Sequence, residues 1–407
     1  MRALVLVVAL TVASSASAAP LVAGSKLPGC ALLQNRLARR ELLPTTKPQA
    51  ARRLERLRRR VADDCVALNE VQTLGTHNSY HIQPAPDLFS VLVAFDSQFR
   101  LVEYTHIPLD QQFDTEGIRQ IEIDVFADPN GGLYARRGAL IVLGRDPNTN
   151  IPELLAPGFK VLHIQDVDFE TTCLTFTSCL RTVKAWSDAH PKHLPIMILV
   201  EAKDDTIPDP LNLGFAVPIP FTSELFDALD AEIRSVFPPR QLITPDDIRR
   251  GRTTLEEAVL TLGWPRLGAA RGKVLFTLDN ASKRNLYLDG HPSLAGRVLF
   301  TNASPGDPDA AFVEVNDAKG GATVIPDLVQ SNYVVRTRAD ADTLEARAGD
   351  VSTRNAALQS GAQWVSTDYA VPNPDFGTGY FVAIPGGNVA RCNPVNAPIG
   401  CRSSALE

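Results

Sequence analysis

Apolar positions in this chain fall into short runs separated by longer amphipathic stretches. Residues 71–76, 118–126, 161–165, 196–203, 274–279, 298–301, 334–338 and 364–368 read as strands. Several are almost unbroken hydrophobic runs, the pattern of strands buried on both faces of a parallel sheet. Between them, residues 223–236, 244–262 and 341–360 carry the periodicity of helices. Eight strand candidates alternating with helices predict an α/β fold, a (β/α)8 TIM-type barrel. A doubly wound sheet is the weaker reading, because no Gly-rich fingerprint follows the first strand. There is no internal repeat.

The flanks have a different character. Arg2, the apolar run Leu4 to Val12 and the small-residue site Ala16-Ser17-Ala18 read as a secretory signal peptide over residues 1–18. That run is too short for a stable membrane anchor, and no later stretch is long and apolar enough to span a bilayer. Leu27-Pro28-Gly29-Cys30 faintly matches a lipidation box but lies well past the apolar run. Residues 19–69 are expected to form a helical extension. Within it, residues 47–70 read as one helix with arginines on one face and Leu54, Leu57, Val61 and Leu68 on another. The barrel is placed at residues 70–372, with residues 208–220 as a Pro-rich loop. A Pro/Gly-rich tail, 373–407, is expected to pack on the barrel.

The chain has six cysteines. An even number in an exported protein predicts disulfides, and local pairing gives Cys30–Cys65, Cys173–Cys179 and Cys392–Cys401. The spacing of Cys173 and Cys179 is not that of a zinc or redox site. The formal net charge is −6, and nothing points to nucleic acid. Nine arginines cluster ahead of the barrel, namely Arg36, Arg39, Arg40, Arg52, Arg53, Arg56, Arg58, Arg59 and Arg60. Such a run is ordinarily a solvated helix face, and attraction to anionic lipid is the functional alternative.

Polar residues at strand ends carry the candidate chemistry. His77 and Asn78 follow the first predicted strand, Glu122 and Asp124 alternate on the second, His163 falls on the third, and Glu201 and Lys203 end the fourth. In a barrel these positions converge on the face where active sites sit. Glu122 and Asp124, two apart on a strand, point the same way. Two carboxylates in an apolar interior repel each other and are costly to desolvate, and a divalent cation relieves both problems. With Asn78 and Glu201 the ligand set is all oxygen, which favours calcium, and magnesium less so, over zinc. Structural ion pairing with Arg119 or Lys203 is the bland alternative. Two histidines beside such a cluster suit proton transfer. His77 and His81 have H-x-x-x-H spacing, but across a strand end and loop, with no Glu after His77, so zinc is disfavoured. There is no EF-hand loop and no G-x-S-x-G elbow.

In order, His77-Asn78, Glu122-x-Asp124, His163 and Glu201 resemble the catalytic set of calcium-dependent phosphatidylinositol-specific phospholipase C, in its secreted, single-domain microbial branch. Further segments fit: Thr76-His77-Asn78-Ser79-Tyr80-His81, residues 119–128, 163–173 and 263–280, and Val365-Ser366-Thr367-Asp368-Tyr369. Related glycerophosphodiesterases typically carry arginine after the first histidine, where this chain has Asn78.

The resemblance implies attack of the inositol 2-hydroxyl on phosphorus, releasing diacylglycerol and a cyclic inositol phosphate that is open to later hydrolysis. Asn78, Glu122, Asp124 and Glu201 are the implied metal ligands, His77 a donor to the phosphorus-bound oxygens, and His163 the acid for the leaving alkoxide. Glu122, Glu201 and His77 remain alternatives for the base. Lys203 either contacts phosphate or neutralises the carboxylates. The expected partner is phospholipid at a membrane surface, met transiently by a monomer that is secreted, or periplasmic if the source is Gram-negative. Residues Leu88 to Phe95 either dip into that surface or form one helix's core face. Rival functions are a metal phosphodiesterase for glycerophosphodiesters or sphingolipids, and an inactive secreted lipid-binding barrel.

Overall fold

Eight parallel strands run in the order β5-β4-β3-β2-β1-β8-β7-β6. They are β1 (Val71–Thr76), β2 (Gln120–Phe126), β3 (Ile196–Lys203), β4 (Val274–Leu278), β5 (Leu299–Thr301), β6 (Phe312–Glu314), β7 (Val334–Arg338) and β8 (Trp364–Thr367). A parallel bridge from Asn302 to Phe312 brings β5 against β6 and closes the ring. The computed structural model describes residues 28–43 and 46–407. The expected signal peptide therefore lies outside the described residues. Among them, no helix is long and apolar enough to cross a membrane.

The TIM-type barrel predicted from the hydrophobic runs is the observed fold. β1 and β2 are buried along their whole length although both carry polar residues, because each faces the helical layer on one side and the barrel interior on the other. Outward-facing Ile121, Ile123 and Val125 are fully buried. Their alternates Glu122 and Asp124 point into the barrel. The predicted helix over 223–236 is observed at Ser223–Val236. The predicted 244–262 helix breaks in two at Arg250, whose φ is 45°, followed by Gly251 at 79°. The 341–360 segment likewise divides into Leu344–Ala348 and Ser352–Ser360 around Gly349.

One predicted strand is wrong. Residues 161–165 are not in the barrel. They form a tight reversal in which Ile164 and Asp168 exchange backbone hydrogen bonds, with Asp166 at φ 65°. The missed sixth strand is Phe312–Glu314, too short to show alternation. The N-terminal helix also stops earlier than expected, at Cys65, followed by a 3-10 turn over Leu68–Glu70.

All three expected disulfides are present: Cys30–Cys65, Cys173–Cys179 and Cys392–Cys401. Cys30 is thereby committed to a disulfide, which removes the lipidation-box reading. The tail adds a short strand, β9 (Ala390–Cys392), antiparallel to β1. Thr73 pairs with both Trp364 and Ala390, and Gly75 with both Ser366 and Gln120. β1 therefore gives one edge to β8 and divides the other, with β9 at its start and β2 at its end. Gly75 is required there, because a Cβ would stand 1.8 Å from Oε1 of Gln120.

Candidate active site

The sheet register places the predicted carboxylates together. Asp124 on β2 pairs with Glu201 on β3, and Phe126 with Lys203. Paired residues of parallel strands face the same side, so Glu122, Asp124, Glu201 and Lys203 all enter the barrel mouth. Oxygens of Glu122, Asp124 and Glu201 lie within 4.8 Å of one another. Neither oxygen of the fully buried Asp124 has a hydrogen-bond partner. Asn78, just beyond β1, is buried in the left-handed region at φ 42°. Its Nδ2 donates to the Tyr104 hydroxyl at 3.0 Å, leaving Oδ1 buried and unpartnered. Buried polar atoms are normally paired. Unsatisfied oxygens beside converging carboxylates are what a site for a hard cation requires, and these residues fit one.

Positive side chains hold this charge in check. Lys203 Nζ stands 3.3 Å from Glu201 and 3.5 Å from Asp124. Burial opposes its charge, but Asp124 and Glu201 outweigh that and raise its pKa. Of the two roles open to Lys203, the observed contacts are the neutralising ones. Burial pushes Glu122 up to about 7 although Arg336 and Arg338 act against it, and burial together with Glu201 drives Asp124 well above the carboxylate range. Arg336, almost wholly buried on β7, ion-pairs with Glu122 and with Glu314 of β6.

His77 and His163 line one cavity of about 290 Å³ with Tyr104, Phe99 and Asp368. His77 Nδ1 is 2.8 Å from Asp368 Oδ1, and its Nε2 is 3.8 Å from Glu122. Burial, then the charges of Arg338 and Arg336, hold the His77 pKa well below its ordinary value. His163 sits on the reversal between β2 and β3, not on a strand, and reaches the same cavity from above. Its Nδ1 is 2.7 Å from Asp168 Oδ2. Burial lowers its pKa, while the hydrogen bond to Asp168 opposes the shift. Burial would raise Asp168, but His81 and His163 prevail and bring it to about 2. His81 does not turn toward His77 as a zinc pair would. Its ring nitrogens bond Tyr104 O at 3.0 Å and Asp168 at 2.9 Å.

Several of these residues escaped the sequence reading. Arg336 and Arg338 occupy alternate positions of a strand that was predicted, so the alternation that singled out Glu122 and Asp124 was available for them too. Asp168 and Asp368 lay inside the resembling segments without a role. Tyr104 and Glu314 carried no signal.

Residues 66–394 match the family described as phosphoinositide phospholipase C, Ca2+-dependent. The chain belongs to that family. It is accordingly a phosphodiesterase of the phospholipase C class. No curated protein matches the chain. Among solved structures it is similar to the calcium-dependent phosphoinositol-specific phospholipase C of a Gram-negative Pseudomonas species, at 18% identity over 81% of this chain and 96% of that one, with a TM-score of 0.48. The calcium-dependent phosphatidylinositol-specific phospholipase C of Streptomyces antibioticus gives 19%, 77%, 97% and 0.46. The phosphatidylinositol-specific phospholipase C of Listeria monocytogenes gives 13%, 78%, 96% and 0.39. Likeness at this level adds no argument to the family match.

Proposed function

We propose that the chain cleaves phosphatidylinositol to diacylglycerol and an inositol phosphate, using calcium held by Asn78, Glu122, Asp124 and Glu201. The observation that carries this reading is the pair of fully buried Asp124 oxygens without hydrogen-bond partners beside Glu122 and Glu201, in a mouth that also holds two oriented histidines. Bound calcium supplies Lewis-acid stabilisation of phosphate charge and lowers the pKa of a coordinated hydroxyl.

The histidines divide the proton work. Each directs Nδ1 to a carboxylate, which leaves Nε2 for the substrate. Arg336 and Arg338 disfavour a charged His77, so its Nε2 accepts the proton of the inositol 2-hydroxyl. Burial lowers His163 too, but ionised Asp168 offsets part of that fall, so His163 is the one assigned to donate to the leaving glycerol oxygen. Both are lowered by burial, but His77 is lowered the more strongly, which suits it to the base and leaves the acid to His163. Arg338 has a buried Nε without a partner and forms no ion pair among the described residues, so it serves the phosphodiester.

Three disulfides support an exported enzyme, and residues 19–69, 70–372 and 373–407 serve as extension, catalytic barrel and clasp. The deciding experiment supplies purified protein with phosphatidylinositol vesicles, with calcium or with a chelator, and follows the product by phosphorus NMR. Calcium-dependent appearance of a cyclic inositol phosphate is expected. Glycerol phosphate released from glycerophosphodiesters, with no inositol product, would move the substrate to the rival class.

A further inference from the structure

The two N-terminal helices, Pro28–Glu41 and Pro48–Cys65, make a groove that the catalytic site does not use. It encloses about 510 Å³ and is lined by Arg36, Arg40, Lys47, Arg53, Arg56 and Arg60 over Leu54 and Leu57. No carboxylate is among its lining residues. Arg60 pairs with Asp64, but the other five cations have no ion-pair partner among the described residues. Arg58 and Arg59, outside the groove, take Glu41 and Glu55 instead. A run of arginines on one solvated helix would spread its charge outward. Here two helices turn theirs into one concavity, in a chain whose overall charge is −6.

The helices are built to hold that shape. Cys30–Cys65 joins them, Arg402 binds Glu41, and Arg271 binds Asp63 at 2.6 Å. Both helices lie ahead of residue 66, where the family match begins. It also lies at the far end of the barrel from the catalytic mouth. The second helix leads into the start of β1, and Arg271 stands just before the start of β4.

We infer that this groove binds an anionic chain, a sulfated polysaccharide, at the end of the enzyme opposite its active site. A concavity walled on both sides by guanidinium groups suits a single chain threaded between them. A bilayer held there would leave the mouth facing away from that same membrane. The proposal is independent of which lipid the active site cleaves.

Heparin serves as the probe, with titrations across a range of salt on the disulfide-intact protein. Binding that weakens steeply with salt is expected, and the quadruple variant Arg36→Gln/Arg40→Gln/Arg53→Gln/Arg56→Gln should lower the slope by about one per cation removed. The corresponding lysine variant should keep most of the slope, and Arg58→Gln/Arg59→Gln should change it little. Phosphatidylinositol cleavage should be unchanged in all three. Heparin affinity in the glutamine variant equal to that of the parent protein overturns the proposal. So does binding to phosphatidylglycerol vesicles that depends on the same four arginines while heparin is ignored.

Discussion

Asp168 accepts the Nδ1 hydrogen of His163 on Oδ2 at 2.7 Å, and Nε2 of a fully buried His81 spans both oxygens of the same carboxylate, 3.0 Å from Oδ1 and 2.9 Å from Oδ2. The acid of the proposed reaction is thus set by a residue five positions along its own loop. Asp168→Asn should lower kcat by about a hundredfold, the scale of losing a catalytic group's orientation, with KM little changed. It should also lower stability at neutral pH by about 2 kcal/mol, since the native carboxyl titrates near 2 rather than 3.8. The sign follows from a depressed acid. Its stabilisation is present above about pH 4 and is lost as pH falls through about 2. Denaturant midpoints of parent and variant should therefore differ at pH 7 and converge toward pH 2. Equal midpoints at pH 7 would remove the structural part of this reading.

His77 and His163 are assigned opposite halves of the proton transfer. His77→Ala and His163→Ala should each lower turnover by about 10² to 10⁴-fold, the usual span of acid–base catalysis, with far-UV circular dichroism unchanged. The two should separate on a substrate with a good leaving group, such as a nitrophenyl inositol phosphate. That substrate needs no acid, so it should rescue His163→Ala and leave His77→Ala slow. Rescue of both, or of neither, would undo the division of roles.

How far the chain disclosed this site depended on whether a residue's neighbours were local. Glu122, Asp124, Glu201 and Lys203 were legible because strand alternation fixes the direction of side chains before any fold is known. The same rule covered Arg336 and Arg338, which were passed over because cations in a strand had no chemical question attached to them. His163, read as a catalytic residue on a strand, lines the cavity but stands on a reversal. The run Val161-Leu162-His163-Ile164 is as apolar as a barrel strand, but Asp166 turns the chain back within two residues. The ties of Tyr104 to Asn78 and of Asp368 to His77 join distant segments, and no periodicity encodes them. β6 was invisible for want of length. The three disulfides were legible because each joins cysteines that are neighbours in sequence order.

Both oxygens of Asp124 lack a hydrogen-bond partner, and the nearest cation, Lys203 Nζ, stands 3.5 Å away. Asp124→Asn removes one charge from the site and should raise the calcium concentration for half-maximal activity by at least about 10- to 100-fold, since even residues behind metal ligands have effects of that size. Calcium should raise the melting temperature of the parent protein and do so much less for the variant. An unchanged calcium midpoint would take Asp124 out of the metal site, whatever the variant's activity.

Arg338 faces the mouth with Glu122, Asp368 and Tyr104 nearby and no ion pair of its own among the described residues. If it meets the phosphodiester, Arg338→Met should raise KM and lower kcat together. Arg338→Lys should recover only part of the loss, because an ammonium cannot reproduce the planar, two-pronged donor. Binding of inositol 1-phosphate, measured by calorimetry, should weaken in parallel. Full affinity in the Arg338→Met variant would assign phosphate binding elsewhere in the mouth.

The seam between β1 and β2 gives a test of the fold that bypasses catalysis. Only Gly75 and Gln120 pair across it, because β9 takes the other half of that edge of β1. The Gln120 side chain lies over the glycine so closely that an added Cβ would fall 1.8 Å from Oε1. Gly75→Ala should cost about 1–3 kcal/mol, the range for overpacking a tight interior. Its effect should reach the site, since His77 and Asn78 follow two and three residues later. Trimming the obstacle separates clash from a demand of the backbone. Gly75 is not among the positive-φ glycines, so its backbone accepts an alanine. The double variant Gly75→Ala/Gln120→Ala should therefore lose less stability than the two single changes summed, the mark of residues in contact. Strict additivity in denaturant melts would mean that the glycine is required for some reason other than the amide end of Gln120, since the Cβ that alanine retains would still stand 2.8 Å from the added one.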